Sequence, residues 1–121
     1  MWVKLRSLRK SFTYASKGLR YAFAHEQNFR IQLVIALVVI LLMVVLPIKA
    51  WEAVALIFVI VSVLILEIAN TVVERFVDLL KPRLHHYSEI IKDMMAAAVL
   101  IVSVGAVIAG IIIFYPYVIS S

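Results

Sequence analysis

Cysteine is absent from the 121-residue chain, which removes disulfides, thiol nucleophiles and Cys-based zinc or iron–sulfur sites together. Glycine and proline number three each, too few for a loop-rich or disordered chain. Charge is thin at 16% Asp, Glu, Lys and Arg, where soluble domains carry about 25%. Acid is thinner still at the start: Glu26 is the one acidic residue in the first fifty positions. What remains is apolar. At 65% hydrophobic residues and a mean hydropathy of +1.09, the chain lies well beyond the roughly 45–50% typical of soluble domains. Such a composition describes an all-α integral membrane protein, and the length allows one domain, residues 1–121.

Between Leu5 and Phe23 the apolar positions Leu5, Leu8, Phe12, Ala15, Leu19, Ala22 and Phe23 recur at steps of three and four, with Arg6, Arg9, Lys10, Lys17 and Arg20 among them. This spacing predicts an amphipathic helix over about residues 4–25, lying on the membrane with its basic side toward anionic headgroups. Gly18 is the expected place for a bend. Residues 31–46 are apolar apart from Gln32, giving a first span over about 29–48. Pro47 and its neighbours form a tight turn, and Trp51 is placed as an interfacial anchor for a second span over about 51–80, with Pro82 expected to end it. Ser88 is the expected cap of a third span over about 89–117, which has Tyr115 and Tyr117 near its far end. The long apolar runs start only at residue 31 with no small-residue cleavage site after the first, so no secretory signal is expected and the N-terminus is expected to stay.

Seven of the twelve Lys and Arg precede the first span, Lys49 lies between spans one and two, Arg75, Lys81, Arg83 and Lys92 flank the second loop, and none follows. The positive-inside rule then puts the N-terminus and the 78–90 loop in the cytoplasm and the C-terminus outside. A basic arm is compatible with nucleic acid, but here it leads directly into apolar spans, and no nucleic-acid partner is expected. The pairs Gly105/Ala109 and Ala106/Gly110 allow close helix approach and self-association.

The polar exception is the run Glu67-Ile-Ala-Asn-Thr-Val-Val-Glu-Arg-Phe-Val-Asp78. At about 100° per residue, Asn70, Thr71, Glu74 and Asp78 fall at about −60°, +40°, −20° and +20° from Glu67, so all five share one helix face. Carboxylates in or beside a bilayer are costly unless they serve a cavity, a cation or a proton. Measured from Trp51, Glu67 stands about 24 Å along the helix and Glu74 about 34 Å, at the inner boundary. Carboxylates, an amide and Lys92 at one membrane surface suit Mg²⁺ and phosphate chemistry, since Mg²⁺ is held by one or two carboxylates together with substrate phosphates. There is no GxxxxGK[ST] loop and no kinase-type Gly-rich loop, so a bound nucleotide would be held by metal and side chains. His85 and His86 are adjacent; on a helix they would diverge by about 100°, and they are expected in a solvated loop.

Three blocks, Glu26-x-x-Asn-Phe-Arg, Glu67-x-x-Asn-Thr-x-x-Glu-x-x-x-Asp78 and Lys92-Asp93-x-x-Ala-Ala-Ala-Val99, resemble the prokaryotic diacylglycerol kinase family, which includes the undecaprenol kinases. The resemblance covers about residues 5–115. It implies a homotrimer of three-span protomers, each with a surface helix, and active sites between subunits in the bacterial inner membrane. By matched position it implies Glu67 as general base toward a lipid hydroxyl, Asn70 orienting the site, and Glu26 and Glu74 holding Mg²⁺. It further implies that Lys92 contacts the phosphates of ATP and Asp93 helps hold the nucleotide, while Asp78 has no assigned role. Two departures stand out. Val72-Val73 replaces a common Ala-Ile, and the 81–91 loop with His-His-Tyr lacks the expected Lys-containing run, leaving nucleotide contacts to Lys92 and Asp93. The segments around Tyr14–Gly18 and Glu26–Ile31 look more like the Gram-positive undecaprenol kinases, so undecaprenol is the expected acceptor and diacylglycerol the alternative. A small multidrug-type transporter is the non-enzyme alternative, but it would need a carboxylate near mid-span.

Overall fold

The computed structural model describes residues 4–120; residues 1–3 and 121, included in the expected single domain, lie outside the described residues. Four helices follow one another: α1 (Leu5–His25), α2 (Gln27–Val45), α3 (Ala50–Leu84) and α4 (Ser88–Ile119). The last three are long and apolar enough to cross a membrane. In hydrocarbon no water can satisfy a backbone N–H or C=O, so such runs close their hydrogen bonds within themselves as helices.

Lengths decide what projects from the membrane. The 19 residues of α2 give about 28 Å, close to the ~30 Å hydrocarbon core of a bilayer. The 35 residues of α3 give about 52 Å, so this helix overshoots by several turns. Glu74 and Asp78 lie within about its last three turns.

The core is sparse. Ala22, Phe29, Ala36, Leu56, Val63, Val77 and Ile113 are the buried apolar residues, and Glu52, Glu67, Thr71 and Ser88 the buried polar ones. Most of them lie on α3, at positions 52, 56, 63, 67, 71 and 77, which trace one stripe at helical spacing. α4 packs along α3 most extensively, α2 packs against α3, and α1 against α2. The acidic face predicted from the sequence is therefore also the packing face of the central helix.

Four local expectations are corrected. α1 passes through Gly18 unbroken, and the chain turns instead at Glu26, one extended residue (φ −118°, ψ 108°) between α1 and α2. α3 does not stop before Pro82 but continues to Leu84. Proline removes one N–H, and in the last turn only one helical bond is lost, while His85 N–H still reaches the Lys81 carbonyl at 2.9 Å. Ser88 is not the cap of α4 but its first residue, its hydroxyl donating to the His85 carbonyl at 3.4 Å, with Tyr87 in the cap position. The spans are shifted from 29–48, 51–80 and 89–117 to the helix bounds above because capping and packing move helix ends that hydropathy leaves blurred. The turn at Pro47 is as expected, closed by Ile48 N–H onto the Leu46 carbonyl at 2.8 Å.

Candidate active site

The inner half of α3 sets out the site. Glu67 is 4% exposed, a carboxylate on the packed stripe of a membrane helix. Thr71, one turn on, is also buried, but its hydroxyl donates to the Glu67 carbonyl at 3.2 Å and is spent on its own helix. Asn70 and Glu74 are half-buried, and Asn70 Nδ2 donates to Glu74 Oε1 at 3.3 Å. The amide thus orients the Glu74 carboxylate from one turn away, as i and i+4 side chains can.

Glu26 reaches this face from the α1–α2 hinge. Its Oε2 accepts from Arg75 Nη2 at 2.9 Å, and Arg75 Nε donates to the Tyr21 hydroxyl at 3.1 Å. Glu26 and Glu74 both lie near enough to act electrostatically on Glu67. The hinge itself is gripped by Arg30, whose Nη1 donates to the carbonyls of Phe23 and Ala24 at 2.7 and 3.2 Å, satisfying groups that the end of α1 leaves open.

Three carboxylates with one guanidinium leave the cluster short of two positive charges. Among the described residues no three His, Cys, Asp or Glu side chains form a metal-holding group by themselves. Mg²⁺ needs only one or two protein carboxylates, with phosphate oxygens and water completing its shell, and Glu26 and Glu74 are two carboxylates at this face.

Lys92 and Asp93 open α4 at the same end of the molecule. Lys92 Nζ donates to Asp78 Oδ1 at 2.6 Å, while Asp93 is exposed. Asp78 thus has a partner that its position in the motif did not reveal. His85 and His86 are exposed in the α3–α4 connection, as expected for solvated loop residues, with their rings edge to face at 5.1 Å.

Below the carboxylates, toward the opposite end of the bundle, α2, α3 and α4 enclose an open apolar groove of about 560 Å³. Val63 and Leu64 line its inner end, one turn from Glu67, and Leu42, Leu56 and Val118 its outer end. At that outer end the Tyr117 hydroxyl donates to Glu52 Oε1, and the same oxygen accepts from Lys49 N–H at 3.1 Å.

Sequence reasoning missed Arg75, Tyr21 and Arg30 as parts of the site, and the Glu52–Tyr117 tie. A signal was present for the first: Arg75 is the lone cation within the acidic run.

The family described as prokaryotic diacylglycerol kinase matches residues 13–114. A diacylglycerol kinase of Synechocystis sp. is 37% identical over 116 residues, spanning 95% of this chain and 66% of that protein. A diacylglycerol kinase of Escherichia coli (strain K12) is 36% identical over 108 residues, covering 89% of this chain and 88% of that one. An undecaprenol kinase of Bacillus subtilis (strain 168) is 29% identical over 113 residues, covering 93% and 92%. These relatives are kinases and not transporters, and they match the chain along nearly all of its length. The chain belongs to the prokaryotic diacylglycerol kinase family and is a lipid kinase.

Proposed function

We propose that the chain transfers the γ-phosphoryl group of ATP to the primary hydroxyl of undecaprenol at the cytoplasmic face of the bacterial inner membrane, giving undecaprenyl phosphate. The observation that carries the proposal is the buried Glu67 carboxylate standing one turn from the inner end of an apolar groove, with Glu26 and Glu74 as its electrostatic neighbours. A lipid tail in that groove would present its hydroxyl at Glu67.

Glu67 takes the hydroxyl proton as general base, the lipid oxygen forms its bond to the γ-phosphorus in line, and the bond to the β–γ bridging oxygen breaks to release ADP. Asn70 holds Glu74 in place, Glu26 and Glu74 would hold Mg²⁺, Lys92 would meet the phosphates and Asp93 would help hold the nucleotide. When bound, Mg²⁺ neutralises charge on the phosphates. Residues 1–121 act as one catalytic domain, with the N-terminus and the α3–α4 connection inside and the C-terminus outside, in keeping with the distribution of Lys and Arg. The small-residue pairs of α4 support self-association, and we take the assembly to be the homotrimer, with sites between neighbours, that the family resemblance implies.

The segments around Tyr14–Gly18 and Glu26–Ile31, which look more like the Gram-positive undecaprenol kinases, support undecaprenol as the acceptor. Diacylglycerol is the second reading, favoured by the higher identity to the relatives named for it. Label transfer from γ-labelled ATP in mixed micelles, with each lipid alone and in competition, tests both. Labelled undecaprenyl phosphate supports the first, labelled phosphatidic acid the second, and absence of label in either lipid with Mg²⁺ present removes the proposal.

A further inference from the structure

We propose that Arg75 is a positioning residue for the transfer reaction: its guanidinium ties the surface helix α1 and the Glu26 hinge to α3, and so sets where Glu26 stands relative to Glu67 and Glu74. The inference rests on the metal-holding role proposed for Glu26 and Glu74.

Arg75 makes three contacts from one rigid fork. Nη2 donates to Glu26 at 2.9 Å, Nε donates to the Tyr21 hydroxyl at 3.1 Å, and the guanidinium carbon lies 5.9 Å from the centre of the Tyr21 ring. Tyr21 is itself braced, stacked on the His25 imidazole at 4.2 Å, with His25 Nδ1 hydrogen-bonded to the Tyr21 carbonyl at 3.0 Å. The last turn of α1 is therefore a built platform for the guanidinium. Glu26 needs one. It is a single extended residue between two helices, and Arg75 is the side chain that bonds its carboxylate.

The arrangement adds little to overall stability. The Arg75 side chain is 46% exposed and the Glu26 side chain 19%, and exposed ion pairs contribute weakly. What three simultaneous contacts fix is orientation. Arg30 already grips the α1 carbonyls from α2, but nothing in that contact aims the Glu26 carboxylate; Arg75 does so, from the position next to Glu74 on α3. A lysine can substitute only in part, because a point charge on a flexible stem can meet the carboxylate but cannot bridge carboxylate and phenol in a fixed geometry.

The test uses the full chain in lipid micelles with Arg75→Met, Arg75→Lys and Tyr21→Phe. The first readout is amide hydrogen exchange over residues 24–30, without ATP or Mg²⁺. This stretch includes the Glu26 N–H bond to the Ala22 carbonyl and the Arg30 N–H bond to the Glu26 carbonyl. The second is the split between the Mg²⁺ concentration giving half-maximal rate and kcat at saturating Mg²⁺ and ATP.

Arg75→Met is expected to speed exchange at the hinge by about tenfold or more. It should also raise the Mg²⁺ requirement by about tenfold, with kcat lowered less than about threefold. Arg75→Lys should recover part of the Mg²⁺ effect, and Tyr21→Phe should loosen the hinge less than Arg75→Met. Unchanged exchange in all three variants overturns the proposal. So does a fall in kcat alone, which would put Arg75 at the reacting atoms, or a lowered Mg²⁺ requirement, which would make it a competitor of the ion. If the unaltered protein phosphorylates neither lipid, the function proposed above fails, and hinge exchange still decides whether Arg75 locks Glu26.

Discussion

Lys92 Nζ donates to Asp78 Oδ1 at 2.6 Å, joining the start of α4 to the overshooting end of α3. The Lys92 side chain is 35% exposed and that of Asp78 51%, so the pair can open toward a phosphate at small cost. With Lys92 in its proposed role toward the phosphates, Asp78 would hold the ammonium in place before nucleotide binds. Asp78→Asn should lower kcat/KM for ATP about tenfold, and Lys92→Gln about a hundredfold, with the double variant close to Lys92→Gln alone because the two act as a unit. A double-mutant cycle on initial rates checks this, and full additivity would separate them.

Glu67 is the proposed base, and its removal should spare the fold. Glu67→Gln keeps the shape and places an uncharged amide on the buried stripe, so the protein should assemble as before. Transfer should drop by about 10²–10⁴-fold, the usual range for a general base. Label transfer to lipid checks the rate, and size-exclusion chromatography in detergent checks assembly. Full activity at saturating Mg²⁺ and ATP would move the base elsewhere.

Glu26→Gln and Glu74→Gln should each raise the Mg²⁺ concentration for half-maximal activity, by about tenfold, and together by less than the product of the two. A Mg²⁺ titration of the three variants measures it. Independent, multiplicative losses would argue against one shared ion.

Glu52 and Tyr117 clasp α3 to α4 at the end of the bundle away from the acidic face. Tyr117→Phe removes the hydroxyl and leaves the buried Glu52 carboxylate to the Lys49 amide. The variant should unfold a few degrees lower in micelles, followed by circular dichroism, with an unchanged Mg²⁺ requirement. A change in that requirement would mean that the two ends are coupled.

Gly110 lines the groove, and a side chain built there meets nothing within 4 Å. Gly110→Leu therefore starts from a Cβ in open space and adds bulk to a groove-lining position. It should raise KM for the lipid several-fold and leave KM for ATP alone, with a larger effect on undecaprenol than on diacylglycerol. Loss of assembly on crosslinking, with KM unchanged, would mark this wall as a contact between subunits instead.

Much of this protein is decided locally, and that part is legible in the sequence. The number and order of apolar helices follow from run lengths and from the demand that backbone groups in a bilayer be satisfied internally. The amphipathic stretch from Leu5 to Phe23 and the shared face of Glu67, Asn70, Thr71, Glu74 and Asp78 follow from a period of 3.6 residues. Periodicity places residues on a face, but it cannot say which chain segment meets that face. Tertiary structure decided that Glu26 is held by Arg75, 49 residues away, and that Tyr117 reaches Glu52, 65 residues away. It also gave Asp78 its lysine, and it extended α3 through Pro82 because a single missing N–H in a last turn does not end a helix. These pairings depend on how α1, α3 and α4 pack, and a local pattern carries no signal of a contact made across the bundle.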